Sequence, residues 1–445
     1  MRKIQASLLV ILVSLTTLWL LADSPIPSPL TYGAFRNVFM QYSGIIAMSA
    51  MSLAMILALR WQRLEAMLGG LDKGYRLHKW LGITALATSV LHWWFGRGTK
   101  WMTQWGWLVR PPRGARPNPA DLGLIEGWLR SQRGFAETLG EWAFYLAALL
   151  LVLALVKRFP YHLFRKTHTW LAALYLTFVF HAIVLTKFSY WQQPVGWVMA
   201  GLMTGGTIAA IIALTGRIGA DRKIGARVSA RRDLPALRVF ETELALDPGW
   251  PGHTAGQFAF VTFDPAEGPH PYTIASAWHP EQPRISIVAK ALGDHTQRLL
   301  DNLAVGTPVI IEGPYGRFDF NDGQTRQIWV GAGIGITPFL ARLGEMATRR
   351  GNQAIDLFYS TSHKDAAAVT RLTEAANRAG ISLHIIDSRS EGRLDADIIR
   401  ARVPEWAASS LWFCGPSAFA RSLRRDLLAL GLPAGRFHQE LFEMR

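Results

Sequence analysis

Six long apolar segments fill the first 216 residues of this 445-residue chain, and they favour folds in which helices cross a lipid bilayer. A helix needs about 20 mostly apolar residues to cross the hydrocarbon core, and each segment is close to that length. The sequence therefore predicts a membrane α-helical bundle of six spans over residues 1–216. The segments lie near residues 4–22, 39–59, 77–95, 139–157, 168–187 and 195–215.

Basic residues beside these segments predict their orientation. Clusters precede the first segment and follow the second, fourth and sixth, and cytoplasmic loops are enriched in Lys and Arg. We therefore expect both termini in the cytosol and an uncleaved first span. The loop 96–138 is also basic although it would lie outside, and long loops follow the rule less strictly. The net charge of +15 is assigned to membrane orientation, with no nucleic-acid partner expected.

Two of the six segments carry two histidines each. His78 and His92 lie in the third, and His168 and His181 lie in the fifth. An ionisable side chain inside a membrane helix is costly and usually functional. Fourteen helical residues separate His78 from His92 by about 21 Å, on nearly one face. One histidine from each helix could ligate a haem near each membrane surface, although buried histidines bonded to neighbouring helices remain the alternative.

The fifth segment fits this arrangement less well. Thirteen residues of an ideal helix place His181 about 140° around the axis from His168. We therefore expect this helix to be overwound, kinked or otherwise distorted between them. Arg36, Arg76 and Arg97 are candidate partners for haem propionates, and positioning at the membrane surface is an equal alternative for each.

The paired histidines, with thirteen and twelve intervening residues, resemble the ferric reductase and NADPH oxidase superfamily. The resemblance implies a domain with two b-type haems over residues 1–216. It also implies a ferredoxin-reductase-like dehydrogenase, with an FAD-binding β-barrel over 217–323 and an NAD(P)H-binding parallel α/β domain over 324–445. The protein would lie in a prokaryotic inner membrane, with the dehydrogenase in the cytosol.

Short β-like runs between Pro and Gly turns predict a small antiparallel barrel in residues 224–322. The segment HPYTIASA, at 270–277, is similar to the flavin motif of the superfamily. The resemblance implies that five of its residues contact FAD: His270, Pro271, Tyr272, Thr273 and Ser276.

Three more residues are implied at the flavin. Gly293 and Thr296 open a predicted helix whose amides could hold pyrophosphate, and the family places the FAD diphosphate there. Phe442 is the candidate for the aromatic residue that stacks on the flavin in relatives. Three residues follow it in this chain, and ordinary packing is an equal interpretation.

From residue 326 onwards, strands alternate with helical stretches, which predicts a parallel sheet. The segment GAGIGITP departs from the usual dinucleotide fingerprint and is similar to the ferredoxin-reductase version. Cys414 and the two residues after it match the family's second contact with nicotinamide. The implied NAD(P)H-binding residues are Gly331, Gly333, Gly335, Thr337, Pro338, Cys414, Gly415 and Pro416.

Residues after the third strand of this region predict the choice of nucleotide. Ser388 and Arg389 follow the strand directly, and Arg393 comes next. Arginine can pair bidentately with a 2′-phosphate, so NADPH is favoured over NADH.

The sequence alone does not identify the electron acceptor. The basic, Trp-rich loop 96–138 could bind an anionic ferric chelate or cover the outer haem. A superoxide-forming reaction with O2 needs only a small pocket, and electron donation to a periplasmic protein is a third alternative. A membrane-bound flavin reductase without haem is the fourth. The one cysteine excludes an internal disulfide and Cys-ligated clusters.

Overall fold

The computed structural model describes residues 2–109, 123–156, 158–349, 351 and 353–440. These residues form two compact units. One contains residues 2–64 and 73–218. The other contains residues 219–440 together with the short segment 65–72, where the carboxylate of Glu65 accepts a hydrogen bond from the amide of Gly316 at 2.7 Å.

The first unit is helical, and each of the six predicted segments forms a helix. Four of them, α2, α6, α7 and α8, are long and apolar enough to cross a membrane among the residues described. The chain is therefore an integral membrane protein, while a bundle of six spans stays a prediction. The helices of this part of the chain are α1 Arg2–Leu20, α2 Tyr32–Leu57, α3 Gln62–Leu68, α4 Leu71–Trp93, α5 Thr99–Gln104, α6 Leu124–Leu155, α7 Tyr161–Leu185 and α8 Pro194–Leu214.

The region 96–138 contains more helix than the sequence indicated. A π-helical turn, Trp94–Gly98, continues α4 into α5, and α6 begins at Leu124. Helix α6 begins 15 residues before the predicted apolar segment, and these added residues include polar ones, so the apolar pattern did not reveal them. This extension is stabilised by an ion pair one turn apart, with Arg130 Nη2 2.8 Å from Glu126 Oε1. Residues 110–122 lie outside the described part.

The expected distortion of the fifth predicted segment is not seen in its hydrogen bonding. Helix α7 is α-helical from Tyr161 to Leu185, with no 3₁₀ or π segment inside it. The irregular turn occurs instead in the other histidine-bearing segment, directly after His92 and Trp93. A π-helical turn shifts the direction of the residues that follow, which makes such turns frequent at functional sites.

The second unit begins with an antiparallel sheet of six strands in the order β4-β3-β6-β1-β2-β5. An isolated bridge between Ile274 and Ile287 brings its two edge strands together at one point, while a closed barrel stays a prediction. The core of this part is aliphatic and aromatic, with Phe240, Leu244 and Ile285 fully buried. The strands are β1 Lys223–Leu234, β2 Val239–Leu246, β3 Phe258–Thr262, β4 His270–Thr273, β5 Arg284–Lys290 and β6 Pro308–Tyr315, and the helix α9 is Asp294–Asn302.

A parallel sheet in the order β11-β10-β7-β8-β9 follows, as the alternating pattern predicted. Strands of a parallel sheet are covered on both faces, and Trp329 in β7 is fully buried. The carboxyl ends of these strands meet at one edge, where the nucleotide motifs lie. The elements are β7 Arg326–Ala332, α10 Thr337–Thr348, β8 Ala354–Thr361, α11 Ala366–Ala379, β9 Ser382–Asp387, α12 Ala396–Arg402, β10 Ser410–Cys414, α13 Ser417–Ala429 and β11 Phe437–Gln439.

Candidate metal centres and nucleotide sites

The four membrane histidines form two pairs between α4 and α7. The ring centroids of His78 and His168 are 5.9 Å apart, and those of His92 and His181 are 6.3 Å apart. Two imidazoles that bind one metal ion from opposite sides, each through a nitrogen–metal bond of about 2 Å, have centroids about 6 Å apart. Both separations therefore fit a bis-histidine metal centre, as in haem ligation.

Hydrogen bonds fix which ring nitrogen of His78 and His181 carries the proton. The Nδ1 atom of His78 lies 2.9 Å from the carbonyl oxygen of Ala54, and that of His181 lies 2.8 Å from the carbonyl oxygen of Ala136. A carbonyl oxygen can only accept, so Nδ1 carries the proton in both rings. The lone pair of Nε2 is then available for a metal, which is the usual arrangement of a metal-binding histidine.

His92 also has a protonated Nδ1, but its acceptor is a side chain. Its Nδ1 is 3.0 Å from the hydroxyl oxygen of Ser43, and that hydroxyl donates to the carbonyl oxygen of Phe39 at 2.7 Å. Because the Ser43 proton is already used, its oxygen accepts from Nδ1–H of His92. The Nε2 atom again keeps its lone pair.

His168 is held differently. Its Nδ1 is buried, and no hydrogen-bond partner for it occurs in the ranges that the structure describes. The ring instead stacks on Phe164, one turn earlier in α7, with centroids 5.0 Å apart and an interplanar angle of 29°. Packing therefore orients this ring where hydrogen bonds orient the other three.

Glycine allows the helices to approach two of the rings. A Cβ atom at Gly140 in α6 would lie 2.1 Å from Nδ1 of His181, a distance that real side chains do not reach. Gly140 follows Ala136 by one turn, so the same face of α6 supplies both the carbonyl acceptor and the space for the ring. At Gly44 a Cβ would lie 3.5 Å from Cε1 of His92, which is ordinary contact.

Two of the three arginines predicted for propionates already bond protein groups. Arg36 Nε donates to the carbonyl oxygen of Phe95 at 2.9 Å, and Arg97 Nε is 3.1 Å from Oε1 of Glu141. Arg76 lies on α4 two residues before His78. A role at propionates stays a prediction for all three.

The predicted flavin motif forms β4 and the turn after it. Tyr272 and Thr273 are buried, and the Tyr272 hydroxyl lies 3.2 Å from Nε2 of His295. Burial raises the pKa of Tyr272, so the phenol stays neutral. The hydroxyl of Ser276 accepts from the amide of Ser286 at 3.0 Å and thereby fixes the turn. His270 and Pro271, which open β4, are half-buried.

Glu267, His270 and His295 lie close enough together to suggest a metal site. The two imidazole rings, however, stack almost in parallel, with centroids 3.9 Å apart and an interplanar angle of 11°. Lone pairs lie in the ring planes, so parallel stacked rings cannot both point at one ion. Glu267 also pairs with Arg298 at 2.8 Å. The group is therefore a stacked pair beside the flavin motif, and His295 and Arg298 are neighbours that the sequence did not reveal.

Gly293 and Thr296 form the cap of α9. The hydroxyl oxygen of Thr296 accepts from the amides of Leu292 and Gly293, at 3.0 and 3.3 Å, and its proton goes to the carbonyl oxygen of Gly293. Thr296 therefore shapes the turn that presents the helix N-terminus.

The two predicted nicotinamide motifs meet at the edge of the parallel sheet. Gly331 pairs with Cys414 in the register of β7 and β10. A Cβ at Gly335 would lie 2.2 Å from the carbonyl oxygen of Cys414, and one at Gly415 would lie 2.7 Å from Cβ of Ala332. Only glycine permits this approach of the two loops. Gly333 opens the 3₁₀ turn between them, Thr337 and Pro338 begin α10, and Pro416 precedes α13.

Glu440 is a site residue that the sequence analysis missed. Its side chain is buried, and its Oε1 would lie 3.3 Å from a Cβ at Gly316. Burial first, and the charge of Glu440 second, raise the pKa of the Cys414 thiol well above its usual range. Cys414 is therefore a thiol rather than a thiolate. A lone acidic residue directly after the last strand was the available signal, and Phe442 beyond it lies outside the described residues.

Ser388, Arg389 and Arg393 lie after β9, as predicted. The amide of Ser388 donates to the carbonyl oxygen of Thr361 at 2.9 Å, which ties this turn to the end of β8. Arg389 and Arg393 are exposed.

Two family models match the chain. Residues 43–179 match the ferric reductase like transmembrane component, and residues 248–319 match an FAD-binding domain. The first match contains all of α4 and three of the four paired histidines. The chain is therefore a fusion of a region similar to the ferric reductase like transmembrane component with a region similar to an FAD-binding domain. This order of domains is the one that the resemblance to the ferric reductase and NADPH oxidase superfamily implies.

Curated relatives share the reductase part of the fusion. A flavohemoprotein of Xylella fastidiosa is 27% identical over 251 residues, which cover 51% of this chain and 62% of the relative. An NADPH oxidoreductase of Mycobacterium tuberculosis is 30% identical over 165 residues, covering 36% and 43%. The fusion thus spans less than two thirds of the length of these proteins.

Two solved structures are similar at low identity. The flavohemoglobin of Malassezia yamatoensis, with bound FAD and heme, is 17% identical with a TM-score of 0.48, covering 92% of this chain and 98% of that one. The cytochrome P450 reductase of Amycolatopsis is 23% identical with a TM-score of 0.43, covering 50% and 70%.

Proposed function

We propose that the fusion passes electrons from cytosolic NAD(P)H, through FAD and two bis-histidine haems, to an acceptor on the outer side of the membrane. The observation that supports this proposal most directly is that the four imidazole rings form two pairs between α4 and α7. Their ring centroids are 5.9 and 6.3 Å apart. Three of the four rings also have Nδ1 engaged by an acceptor, which leaves Nε2 for iron.

The ligands of the two haems would be His78 with His168 and His92 with His181. Haem bound in this way supplies one-electron transfer without an open coordination position on the iron. The chain itself sets the ring tautomers through Ala54, Ser43 and Ala136.

The reductase part would hold FAD on the β4 motif and the cap of α9. FAD supplies the conversion between a two-electron donor and one-electron acceptors. The buried Tyr272 and Thr273 support a flavin site, and Gly293 with Thr296 supports a site for its diphosphate.

The nicotinamide nucleotide would lie along the edge where Gly331–Pro338 meets Cys414–Pro416. The neutral Cys414 thiol and the buried Glu440 would shape this site by contact and charge rather than act as nucleophiles. No nucleophilic or acid–base step by the protein would be required, because the bound cofactors would supply the hydride chemistry and the protein would supply their placement.

The same proposal includes three domains, 1–216, 217–323 and 324–445, and six membrane spans. The basic clusters predict that the dehydrogenase and the His78–His168 pair lie on the cytosolic side. The His92–His181 pair would then lie near the outer surface, in a prokaryotic inner membrane.

The acceptor is proposed to be O2 or a ferric chelate, with donation to a periplasmic protein as the second candidate. Exposed aromatic residues follow His92 in the chain, with Trp105 60% and Trp107 72% exposed. Exposed tryptophans in a loop of basic sequence are groups that would dock an anionic chelate or an acidic partner.

Anaerobic stopped-flow reduction by NADPH, followed through the visible spectrum, tests the proposal. We expect sharp bands of reduced bis-histidine haem, then reoxidation on addition of O2 or a ferric chelate. Fast reoxidation by O2 with superoxide identifies an oxidase, and fast reoxidation by the chelate alone identifies a metalloreductase. Purified protein without a haem spectrum would show that the four histidines are structural.

A further inference from the structure

A segment before β3 contacts both the flavin motif and helix α10, which follows the glycine loop. The segment covers residues 250–257, and no motif in its sequence indicated a role. Its histidine, His253, is 8% exposed and lies against the turn after β4 (residues 275–278), which includes Ser276 of the flavin motif. Its Ala255 lies against α10. The segment is therefore placed to fix the flavin motif relative to this helix.

The hydrogen bonds of His253 define a neutral ring. Its Nε2 lies 3.0 Å from the carbonyl oxygen of Ser276, and its Nδ1 lies 3.3 Å from the indole nitrogen of Trp250. A carbonyl oxygen can only accept and an indole N–H can only donate, so the proton of the ring is on Nε2. Burial lowers the pKa of His253, which favours the same neutral form. Both ring nitrogens therefore bind protein groups that suit a single tautomer.

Other groups hold the turn after β4 from two further sides. The hydroxyl of Ser276 accepts from the amide of Ser286 in β5, so the carbonyl and the side chain of this residue are both bonded to protein. A Cβ at Gly252 would lie 2.9 Å from Nε1 of Trp278, and the φ angle of Gly252 is +87°. Glycine at this position therefore allows both the course of the chain and the close approach of the indole.

Helix α10 packs on the same turn. A Cβ at Gly344 would lie 3.3 Å from Cβ of the buried Ala277, which is tighter than ordinary contact. At the next residue of the helix, Oε1 of Glu345 accepts from the amide of Ala255 at 3.3 Å, and Oε2 pairs with Nη1 of Arg342 at 2.7 Å. The helix thus contacts the turn directly and also bonds the segment that holds the turn.

We propose that His253 is a positioning residue for hydride transfer, because it holds the turn after the flavin motif at the place where α10 packs on it. The inference rests on the proposed function, since it assigns a residue to the same reductase site. In that step one hydride would pass from NAD(P)H to FAD, which leaves NAD(P)+ and the reduced anion FADH−. His253 would act through Ser276 and not by contact with a cofactor, because both of its ring nitrogens are already bonded.

Two amide substitutions separate the two bonds of His253. The side chain of His253→Asn can still accept from Trp250 but is too short to reach Ser276, whereas that of His253→Gln can still donate to the Ser276 carbonyl. A displacement of about 1 Å near reacting groups can lower a rate about 100-fold. His253→Asn should therefore reduce FAD about 10- to 100-fold more slowly at saturating NADPH, and His253→Gln should retain most of the wild-type rate.

Anaerobic stopped-flow reduction of the full-length protein in detergent measures these rates. The long-wavelength absorbance of the nicotinamide–flavin complex should weaken in His253→Asn together with the rate. FAD affinity, from flavin fluorescence, and NADP+ affinity, from calorimetry, should stay close to wild type in both variants. The control is His279→Gln, whose side chain is 43% exposed and lies near Glu281. It should match wild type in every measurement.

Gly344→Ala tests the same packing from the helix and does not depend on the folding of the His253 variants. Its added Cβ must displace Ala277 or α10 by a few tenths of an ångström, so flavin reduction should slow several-fold while NADP+ affinity is kept. Wild-type rates in both Gly344→Ala and His253→Asn would overturn the inference. So would a loss of FAD affinity in His253→Asn with a normal rate in the protein that keeps its FAD.

The inference and the proposed function fail in different ways, because flavin reduction precedes haem reduction. If NADPH reduces the wild-type flavin and no haem, the proposed transfer to haem fails, and the flavin rates of the variants still decide the role of His253. If NADPH does not reduce the wild-type flavin at all, both proposals fail.

Discussion

The two histidine pairs differ in how firmly the protein holds their rings. In the His92–His181 pair, both Nδ1 atoms have acceptors, the hydroxyl of Ser43 and the carbonyl of Ala136. In the His78–His168 pair only His78 has one among the residues that the structure describes, and His168 stacks on Phe164. The separations of the rings are nearly equal, so the difference lies in the support and not in the spacing.

This difference affects the affinity of each centre for its metal and the reduction potential of that centre. A hydrogen bond from Nδ1–H orients an imidazole and raises its basicity, which strengthens its bond to a metal. The His78–His168 centre should therefore bind its metal less tightly than the His92–His181 centre. If it lies on the flavin side, electrons would enter through the centre with the less restrained ligand.

Replacing a ligand has the largest expected effect. His168→Ala and His181→Ala should each remove about half of the haem absorbance, and each should lower NADPH-driven acceptor reduction by roughly 100-fold or more. They should differ in what NADPH still reduces. In His181→Ala the His78–His168 haem should remain reducible, whereas in His168→Ala no haem should be reduced quickly. The readout is the stopped-flow spectrum at saturating NADPH.

The reverse pattern would place the His92–His181 pair next to the flavin and contradict the proposed orientation. Full haem content in both variants would contradict ligation by either residue.

Gly140→Ala should have the next largest effect, because its Cβ would lie 2.1 Å from Nδ1 of His181. Either the ring or α6 must move, and the bond to Ala136 is then lost. We expect loss of roughly 10- to 100-fold in haem affinity at this centre, measured by haem content after extraction and reconstitution. Gly44→Ala is the matched control, since its Cβ meets His92 at an ordinary 3.5 Å. Equal effects of the two substitutions would show that the close approach at Gly140 is relieved elsewhere.

The sequence predicted the pairing of the histidines but not the groups that orient their rings. The spacing of His78 and His92 predicts two rings on nearly one face of α4, whereas the spacing of His168 and His181 does not by itself predict that both rings face α4. The acceptors on Ala54 and Ala136 are main-chain carbonyls exposed by the packing of neighbouring helices. Any residue type supplies a carbonyl, so no sequence pattern marks them.

Other features that the sequence did not predict have similar causes. Strand β1 gives a weak sequence signal because its charged residues obscure the alternation, and only Ala226 and Val228 are buried among its residues. Glu440 was missed because its burial depends on where the last strand ends. Nη2 of Arg389, after β9, lies 2.5 Å from Nε2 of His363, after β8. This contact depends on the register of the two strands, which neither segment specifies alone. The alternation of strands and helices after residue 326 was predicted because its signals are local.

Ser43→Ala tests a single hydrogen bond in the better-held pair. The variant removes one acceptor of His92, whose ring also bonds the backbone of Met40, and should cost up to about tenfold in haem affinity or activity. Ser43→Thr keeps the hydroxyl and should restore most of that loss. The measurement is the midpoint potential and retention of the haem that depends on His181. A potential unchanged in Ser43→Ala would mean that the backbone of Met40 and packing suffice to orient His92, and the Ser43 hydroxyl would then play no part in the contrast between the two pairs.

Phe164→Leu should have the smallest effect, and it examines the less restrained pair directly. Loss of the stacked ring removes about 0.5–1.5 kcal/mol of interaction with His168, so affinity for the haem at this centre should fall only a few-fold. The effect should appear as faster exchange of one haem with apomyoglobin, while the other keeps its wild-type rate. Tyrosine at the same position retains the stacking and should behave as wild type. Faster exchange of both haems would mean that Phe164 supports the helix packing as a whole. No change in either rate would mean that the bond to iron alone holds His168, with neither a hydrogen bond nor a stacked ring required.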